Sequence, residues 1–254
     1  MSGSRVDRAG NLIENAMLRH LPDREFSLLQ PHLELVSLQQ RTRVQGSDQR
    51  IEYGYFINRG LISILVTTDS RSVEVGVLGR EGFVGVELGM GFVSSPHTLI
   101  VQVPGNAFRI GAGILQPLLP SLPDLRLQLS RFVHLQGLQV AQLAACNRLH
   151  ELEQRLARWL LMSNDRTGSP TLPFTHDLLA AMLGTARPSV TLAAGILQRE
   201  GAISYERGVV TIVDRQRLEG SACECYSVIA NITNGNSVRM FDSRAEPEKL
   251  TPQP

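Results

Sequence analysis

Apolar residues recur at helical spacing near the start of the chain, alternate through its middle, and return to helical spacing beyond residue 120. Residues 1–20 are polar with scattered apolar positions, which predicts a tail or one short helix. At Pro22-Asp23 a helix start precedes apolar residues at helical spacing through Val36. Over 37–110 the rhythm is that of strands. Tyr53–Thr68 reads as two short strands about an Asn58-Arg59-Gly60 turn, and His97–Ile110 as two more about Pro104-Gly105-Asn106. Short strands with closely spaced turn signals predict an antiparallel β-roll or barrel over 21–122.

The break at Pro120-Ser121-Leu122-Pro123-Asp124 predicts a long helix over 123–149 with two apolar stripes. Leu125, Leu129, Phe132, Gln136, Leu143 and Cys146 form one stripe, suited to packing on the roll. The other runs through Leu135, Leu138, Gln142, Ala145 and Leu149, and is expected to meet a second copy of itself as a dimer seam. A loop at 164–173 follows. Thr175 then caps a short helix, Gly184 turns the chain, and a second helix over about 187–200 ends at Gly201. Ala202–Asp214 is a hairpin turning at Glu206-Arg207-Gly208. Helix, turn, helix and hairpin together predict a winged helix over 150–227, leaving 228–254 as a disordered tail. The fold class is α+β.

Pro188 explains how the second of these helices begins. A proline in the first turn loses no hydrogen bond, and its ring keeps Arg187 at the helix start with its side chain free. Val190, Ala194 and Leu197 form the buried stripe of that helix, against Ala180, Met182 and Leu183 of the helix before it. A recognition helix meets DNA with its N-terminal residues, so Arg187, Ser189 and Leu192 are the expected base contacts. Thr175, His176, Arg199 and Arg207 are the expected phosphate contacts.

Composition narrows the partners. The 254 residues carry a net charge of +1, so nucleic-acid binding has to come from a local surface rather than a chain-wide field. Three cysteines, Cys146, Cys223 and Cys225, make no paired disulfide framework, which points to a reducing, cytoplasmic compartment. The N-terminal residues lack the apolar core of a signal peptide, and the apolar runs are too short to span a bilayer. Gly79–Gly85 lacks the Lys-Ser/Thr that a phosphate loop needs, and no catalytic triad order or zinc-spaced cluster stands out, so no enzyme is expected. Cys223-Glu224-Cys225 is two close thiols without further ligands nearby in sequence, and no metal is assigned to it.

The stretches at 147–161, 174–203 and 207–214 resemble the Crp/Fnr family of bacterial transcription regulators, and the resemblance extends over about 21–220. It implies a homodimer held by the long helix, a sensory β-roll resembling a cyclic-nucleotide-binding domain, and two winged helices on a near-palindromic operator in double-stranded DNA. RNA polymerase is a further expected partner of such a regulator. Arg187, Ser189 and Val190 match the family's recognition helix, but Pro188 stands where many members carry a base-reading Glu, and Leu192 where they carry a second Arg. Cyclic-nucleotide readers of the family use Gly-Glu for the ribose and an Arg for the phosphate. Here Gly85-Val86 replaces Gly-Glu, and no arginine stands near Ser95-Pro96-His97. Glu87 is one residue off and, on a strand, would face away. Cyclic AMP is therefore not expected, and the effector is left open. An iron–sulfur cluster is not expected either, since no cysteine precedes Cys146. His97, His134 and His150 read as surface or packed histidines rather than haem ligands. The alternative to a DNA-binding regulator is a small-molecule sensor whose C-terminal domain docks a protein.

Overall fold

The computed structural model describes residues 5–68 and 71–234. The chain opens with helices α1 (Ala16–His20) and α2 (Asp23–Leu29), so residues before Leu21 include the short helix rather than only a tail. Asn15 holds α1 in place. Its side chain accepts from the Leu18 N–H and donates to the carbonyls of Ile57 and Gly82, while Met17 and Leu18 are buried.

A six-stranded antiparallel sheet follows, comprising β1 (Glu34–Leu38), β2 (Arg43–Gln45), β3 (Tyr53–Thr68), β4 (Arg71–Leu78), β5 (Phe83–Val84) and β6 (Thr98–Gly111). Its order is β1-β6-β3-β4, with β2 on β6 and β5 on β3. The two predicted hairpins are each one continuous strand. Asn58-Arg59-Gly60 and Pro104-Gly105-Asn106 are not turns but the two sides of a bulged crossing between β3 and β6, where the register slips between Ile57 and Ile62. The reason is close approach. A Cβ on Gly105 would lie 2.0 Å from the Arg59 carbonyl oxygen, and one on Gly60 2.7 Å from that of Val103. Gly60 also takes φ 105, so the sheet bends where only glycine fits.

Gly105→Ala is expected to cost about 1–3 kcal/mol through forced strand separation. Gly113→Ala, whose Cβ would meet nothing within 4 Å, is the neutral control. Urea midpoints of the two variants check this, and equal midpoints would mean the crossing has slack.

Helices α3 (Val86–Gly89) and α4 (Ala112–Leu118) close the roll, and α5 (Pro123–Leu149) runs along it, close to the predicted 123–149. No side chain of its own caps α5. Instead the buried Glu25 of α2 accepts from the Asp124 and Leu125 N–H groups at 3.0 Å, which ties the helix start to the roll. Leu125, Leu129, Leu143 and Cys146 are buried as the first stripe requires.

After α6 (Leu152–Thr167) come β7 (Thr171–Leu172), α7 (His176–Leu183), α8 (Arg187–Arg199), β8 (Ile203–Glu206), β9 (Val209–Ile212), α9 (Arg215–Ser221) and α10 (Cys225–Thr233). The small sheet has the order β7-β9-β8. Its domain packs on the roll through one shared core that includes Leu61, Leu65 and Val77 from the roll and Trp159, Leu160 and Met182 from beyond it. A polar joint crosses the same boundary. The buried Glu74 of β4 accepts from the Trp159 indole N–H at 2.6 Å and shares a hydrogen bond with Ser63. Arg166 donates to Glu81 at 2.8 Å and to Gln139 at 3.1 Å.

Two expectations change at the C-terminal end. Residues 228–233 belong to α10 rather than to a tail. Ile229 and Ile232 are buried, and the Tyr226 hydroxyl donates to Asp165 at 2.9 Å; residues 235–254 lie outside the described ones. That helix also covers part of the expected dimer seam. Gln142 donates to the Cys225 sulfur at 3.0 Å, and Leu135 lines a cleft with Phe132, Ile232 and Thr233. Leu138 is half-buried, whereas Ala145 and Leu149 remain exposed, the latter at 73%. The freely exposed face of α5 is rotated from the predicted one, with Val140 exposed and open space around Gly137. Cys223 and Cys225 are likewise not isolated, for the fold carries them to Cys146 and His150.

Among the described residues no single helix is long and apolar enough to cross a membrane.

Candidate nucleic-acid interface

Helix α7 starts at Thr175, whose hydroxyl oxygen accepts from the Leu178 N–H at 3.2 Å, and ends at Gly184 in the left-handed region, φ 63. After the short turn α8 leaves at 105° to α7. Pro188 sits in its first turn, and Ala186 before it supplies no capping side chain. Val190, Ala193, Ala194 and Leu197 are buried against Leu179, Ala180, Met182 and Leu183. The opposite face is open. Arg187 is 65% and Leu192 72% exposed, Arg199 is exposed, and Ser189 is half-buried beside them.

Arg187 lies 3.5 Å from Asp177, with both side chains in solvent. An exposed pair of this kind contributes little and is exchanged easily for an anionic partner. The wing is the β8–β9 hairpin. Arg207 and Gly208 both take positive φ, 47 and 83, the geometry of a tight two-residue turn, and hold the exposed Arg207 at the tip.

His176 departs from its expected role. Its ring stacks on Tyr205, 4.0 Å between centroids, and its Nδ1 lies 2.9 Å from the Thr191 hydroxyl. That hydroxyl donates to the Arg187 carbonyl, so Nδ1–H is the donor to Thr191 and Nε2 is left as a buried lone pair without a partner. Burial, and after it the nearby Arg187 charge, holds the pKa below its ordinary value. In this arrangement the ring braces α8 against the wing and turns no N–H toward solvent. The residue pattern alone placed His176 at a helix start and gave no sign of the stacking partner 29 positions on.

In the roll, a cavity of roughly 380 Å³ lies between sheet and α5, lined by Ile64, Leu78, Val86, Leu99, Val133 and Val140, together with Glu87 and His97. Glu87 does not face away as expected. Residues 86–89 are a helical turn, not a strand, because Gly85 takes φ 90, and the Glu87 carboxylate reaches the cavity with a buried oxygen that has no partner. No arginine or lysine lines this cavity among the described residues.

Comparison with known proteins agrees with this architecture. A family model for the Crp-like helix-turn-helix domain matches residues 154–220. The transcriptional regulator SdrP of Thermus thermophilus is 34% identical over 117 residues, 41% of this chain and 55% of SdrP, so the match spans about half of that relative. A Crp/Fnr-family regulator from Eubacterium rectale superposes with TM-score 0.64 at 19% identity, over 82% of this chain and 98% of the other. The c-di-GMP-responsive regulator CLP of Xanthomonas campestris superposes with TM-score 0.63 at 18% identity, over 76% and 100%. The roll, the long helix and the winged helix are thus the fold of the Crp/Fnr regulators, and residues 154–220 of this chain are a Crp-like helix-turn-helix domain.

Proposed function

We propose that the protein is a sequence-specific transcription regulator that binds a near-palindromic duplex site as a homodimer. The observation that carries this reading is the open first turn of α8, with Arg187 and Leu192 projecting beside an arginine-tipped wing in a Crp-like helix-turn-helix domain. Arg187 is the base reader, in bidentate contact with guanine, and Ser189 and Leu192 are its neighbours, the leucine suited to a thymine methyl. The Thr175 end of α7, Arg199 and Arg207 hold phosphates. Dimerisation is assigned to the α5 face on which the half-buried Val133 and the exposed Gly137, Val140 and Ala144 recur at heptad spacing, beside the cavity. The roll senses a ligand other than cyclic AMP. In support, the cavity between sheet and α5 is mostly apolar and offers a carboxylate but no guanidinium. RNA polymerase is a further proposed partner, and the compartment is the cytoplasm.

Arg187→Ala is expected to lose about 1–3 kcal/mol and relax the base choice at one position of each half-site. Arg207→Ala should weaken all sequences alike and reduce the salt slope by about 1 per half-site. Titrating both variants on a duplex selected from random sequence, and on a scrambled one, separates the roles. Binding without a salt slope, or no selected duplex at all, would favour a C-terminal domain that docks protein through Leu192.

A further inference from the structure

The helix-turn-helix does not use the three cysteines, yet the fold gathers all of them. Cys146 and His150 stand one turn apart at the end of α5, and Cys223 and Cys225 arrive with the start of α10. One donor atom from each, three sulfurs and an imidazole nitrogen, all lie within 4.8 Å of one another. We propose that Cys146, His150, Cys223 and Cys225 bind one zinc ion in a closed tetrahedral site that fastens the winged-helix domain to the end of the long helix.

Four observations carry this. The first is spacing. A zinc ion with ordinary Zn–S and Zn–N lengths places two thiolates about 3.8 Å apart, and a thiolate and an imidazole nitrogen about 3.6 Å apart. The Cys146 and Cys223 sulfurs are 3.5 Å apart, and the Cys225 sulfur is 3.7 Å from His150 Nδ1. Such donors surround a single ion. An iron–sulfur cluster would divide them between two or more irons and spread the set beyond the reach of one ion.

The second is the orientation of the histidine. His150 Nε2 lies 3.1 Å from the Glu224 carboxylate, while Nδ1 faces the sulfurs. Donation of Nε2–H to Glu224 leaves the Nδ1 lone pair aimed at the centre of the cluster, the carboxylate–histidine–metal arrangement that fixes a ligand's tautomer. Glu224 lies between two of the proposed ligands in sequence, so one short segment supplies both the sulfurs and the group that sets the imidazole.

The third is charge. Three thiolates, a neutral imidazole and a zinc dication sum to one negative charge. The Arg158 guanidinium acts on Cys146; it is 2% exposed, its Nε has no partner, and its side-chain hydrogen bond goes to the Met162 sulfur. A buried cation so poorly paired is costly unless an anion lies close by. The Glu74 carboxyl is within reach of that charge, and a zinc-bound thiolate set is a second such anion, supported further by the N–H that Gln142 donates to the Cys225 sulfur at 3.0 Å.

The fourth is closure. The cysteines are buried, and four protein ligands leave no open position, which marks a structural site rather than a catalytic one. The ion would clip together positions 77 residues apart, at the point where α5 gives way to α6. The sequence signal was the i, i+4 pair Cys146 and His150, which needs a helix to become two ligands on one face.

The test uses the full chain, purified without chelator. Elemental analysis should find one zinc per chain, with all three thiols slow to react until zinc is displaced. Exchange with cobalt should give the visible bands and thiolate charge-transfer absorption of a tetrahedral thiolate site. Cys223→Ser should lose the metal. Glu224→Gln should keep the site but weaken zinc binding about 10- to 100-fold. If Cys223→Ser fails to fold, His150→Cys decides, since four thiolates should still bind zinc with a shifted cobalt spectrum. Freely reactive thiols in a metal-free, folded chain would overturn the proposal. So would a Cys146–Cys223 disulfide in protein purified under reducing conditions, or a sulfide-containing chromophore.

Discussion

Val140→Arg is expected to turn the proposed dimer into a monomer and lower affinity for the proposed two-half-site duplex by about 100- to 10,000-fold, the loss that follows when two linked contacts become independent. The reasoning starts from the single chain. Val140 is exposed on α5, Gly137 has open space beside it, and Ala144 continues the row, so two α5 helices can approach closely along this face. An arginine there would bury an unpaired charge in the seam, which costs several kcal/mol, yet in the isolated chain this 41%-exposed position at the edge of the cavity lets the guanidinium reach water. The variant should therefore keep its helical circular dichroism while sedimenting as a monomer. A dimer with undiminished affinity would place the seam elsewhere, the exposed Ala145 and Leu149 end of the helix being next in line.

Glu74→Gln should remove a pH dependence of stability worth about 3 kcal/mol. Burial pushes the Glu74 carboxyl from its ordinary 4.5 up to about 7, against the hydrogen bonds from Ser63 and Trp159 and the charges of Arg158 and Arg166, which pull the other way. A group raised in this manner binds its proton more tightly folded than unfolded. Its stabilising contribution is complete below about pH 4.5 and lost as pH rises through 7, where the buried carboxylate must be kept charged. The difference between 4.5 and about 7 corresponds to about 3 kcal/mol. Glutamine accepts from Trp159 and bonds Ser63 without a charge. Urea unfolding of both proteins should give similar stabilities at pH 5 and a more stable variant at pH 8. A constant difference across that range would show that Glu74 does not titrate there.

The long helix and the winged helix were readable because their signals are local. Proline and aspartate at 123–124, the Thr175 cap and the glycines at 184 and 201 mark boundaries that no distant contact overrides. The roll was readable in type but not in strand count, since a glycine punctuates a bulge and a turn in the same way. Only the partner strand reveals that Gly60 and Gly105 face each other. Glu87 was misplaced for a related reason. A single helical turn of four residues is too short to show a period, so alternation was carried through it. The stripe read as a seam on α5 is partly covered because Leu135 and Gln142 meet α10, a nine-residue helix too short to show a clear period in sequence. On the winged helix, Arg187, Leu192, Arg199 and Arg207 are exposed, whereas His176 is engaged in a stacking contact that sequence spacing does not display.

The chain has a single tryptophan, and the fold spends it on the boundary between roll and winged helix, with Phe174 edge-on at 4.7 Å and Glu74 on its N–H. Intrinsic fluorescence of the unmodified protein therefore reports one place only. Should an effector or a duplex part the two halves while each stays folded, water would reach the indole and the emission would shift to the red with no change in circular dichroism. The molecule carries its own optical gauge of that separation, needing no attached dye.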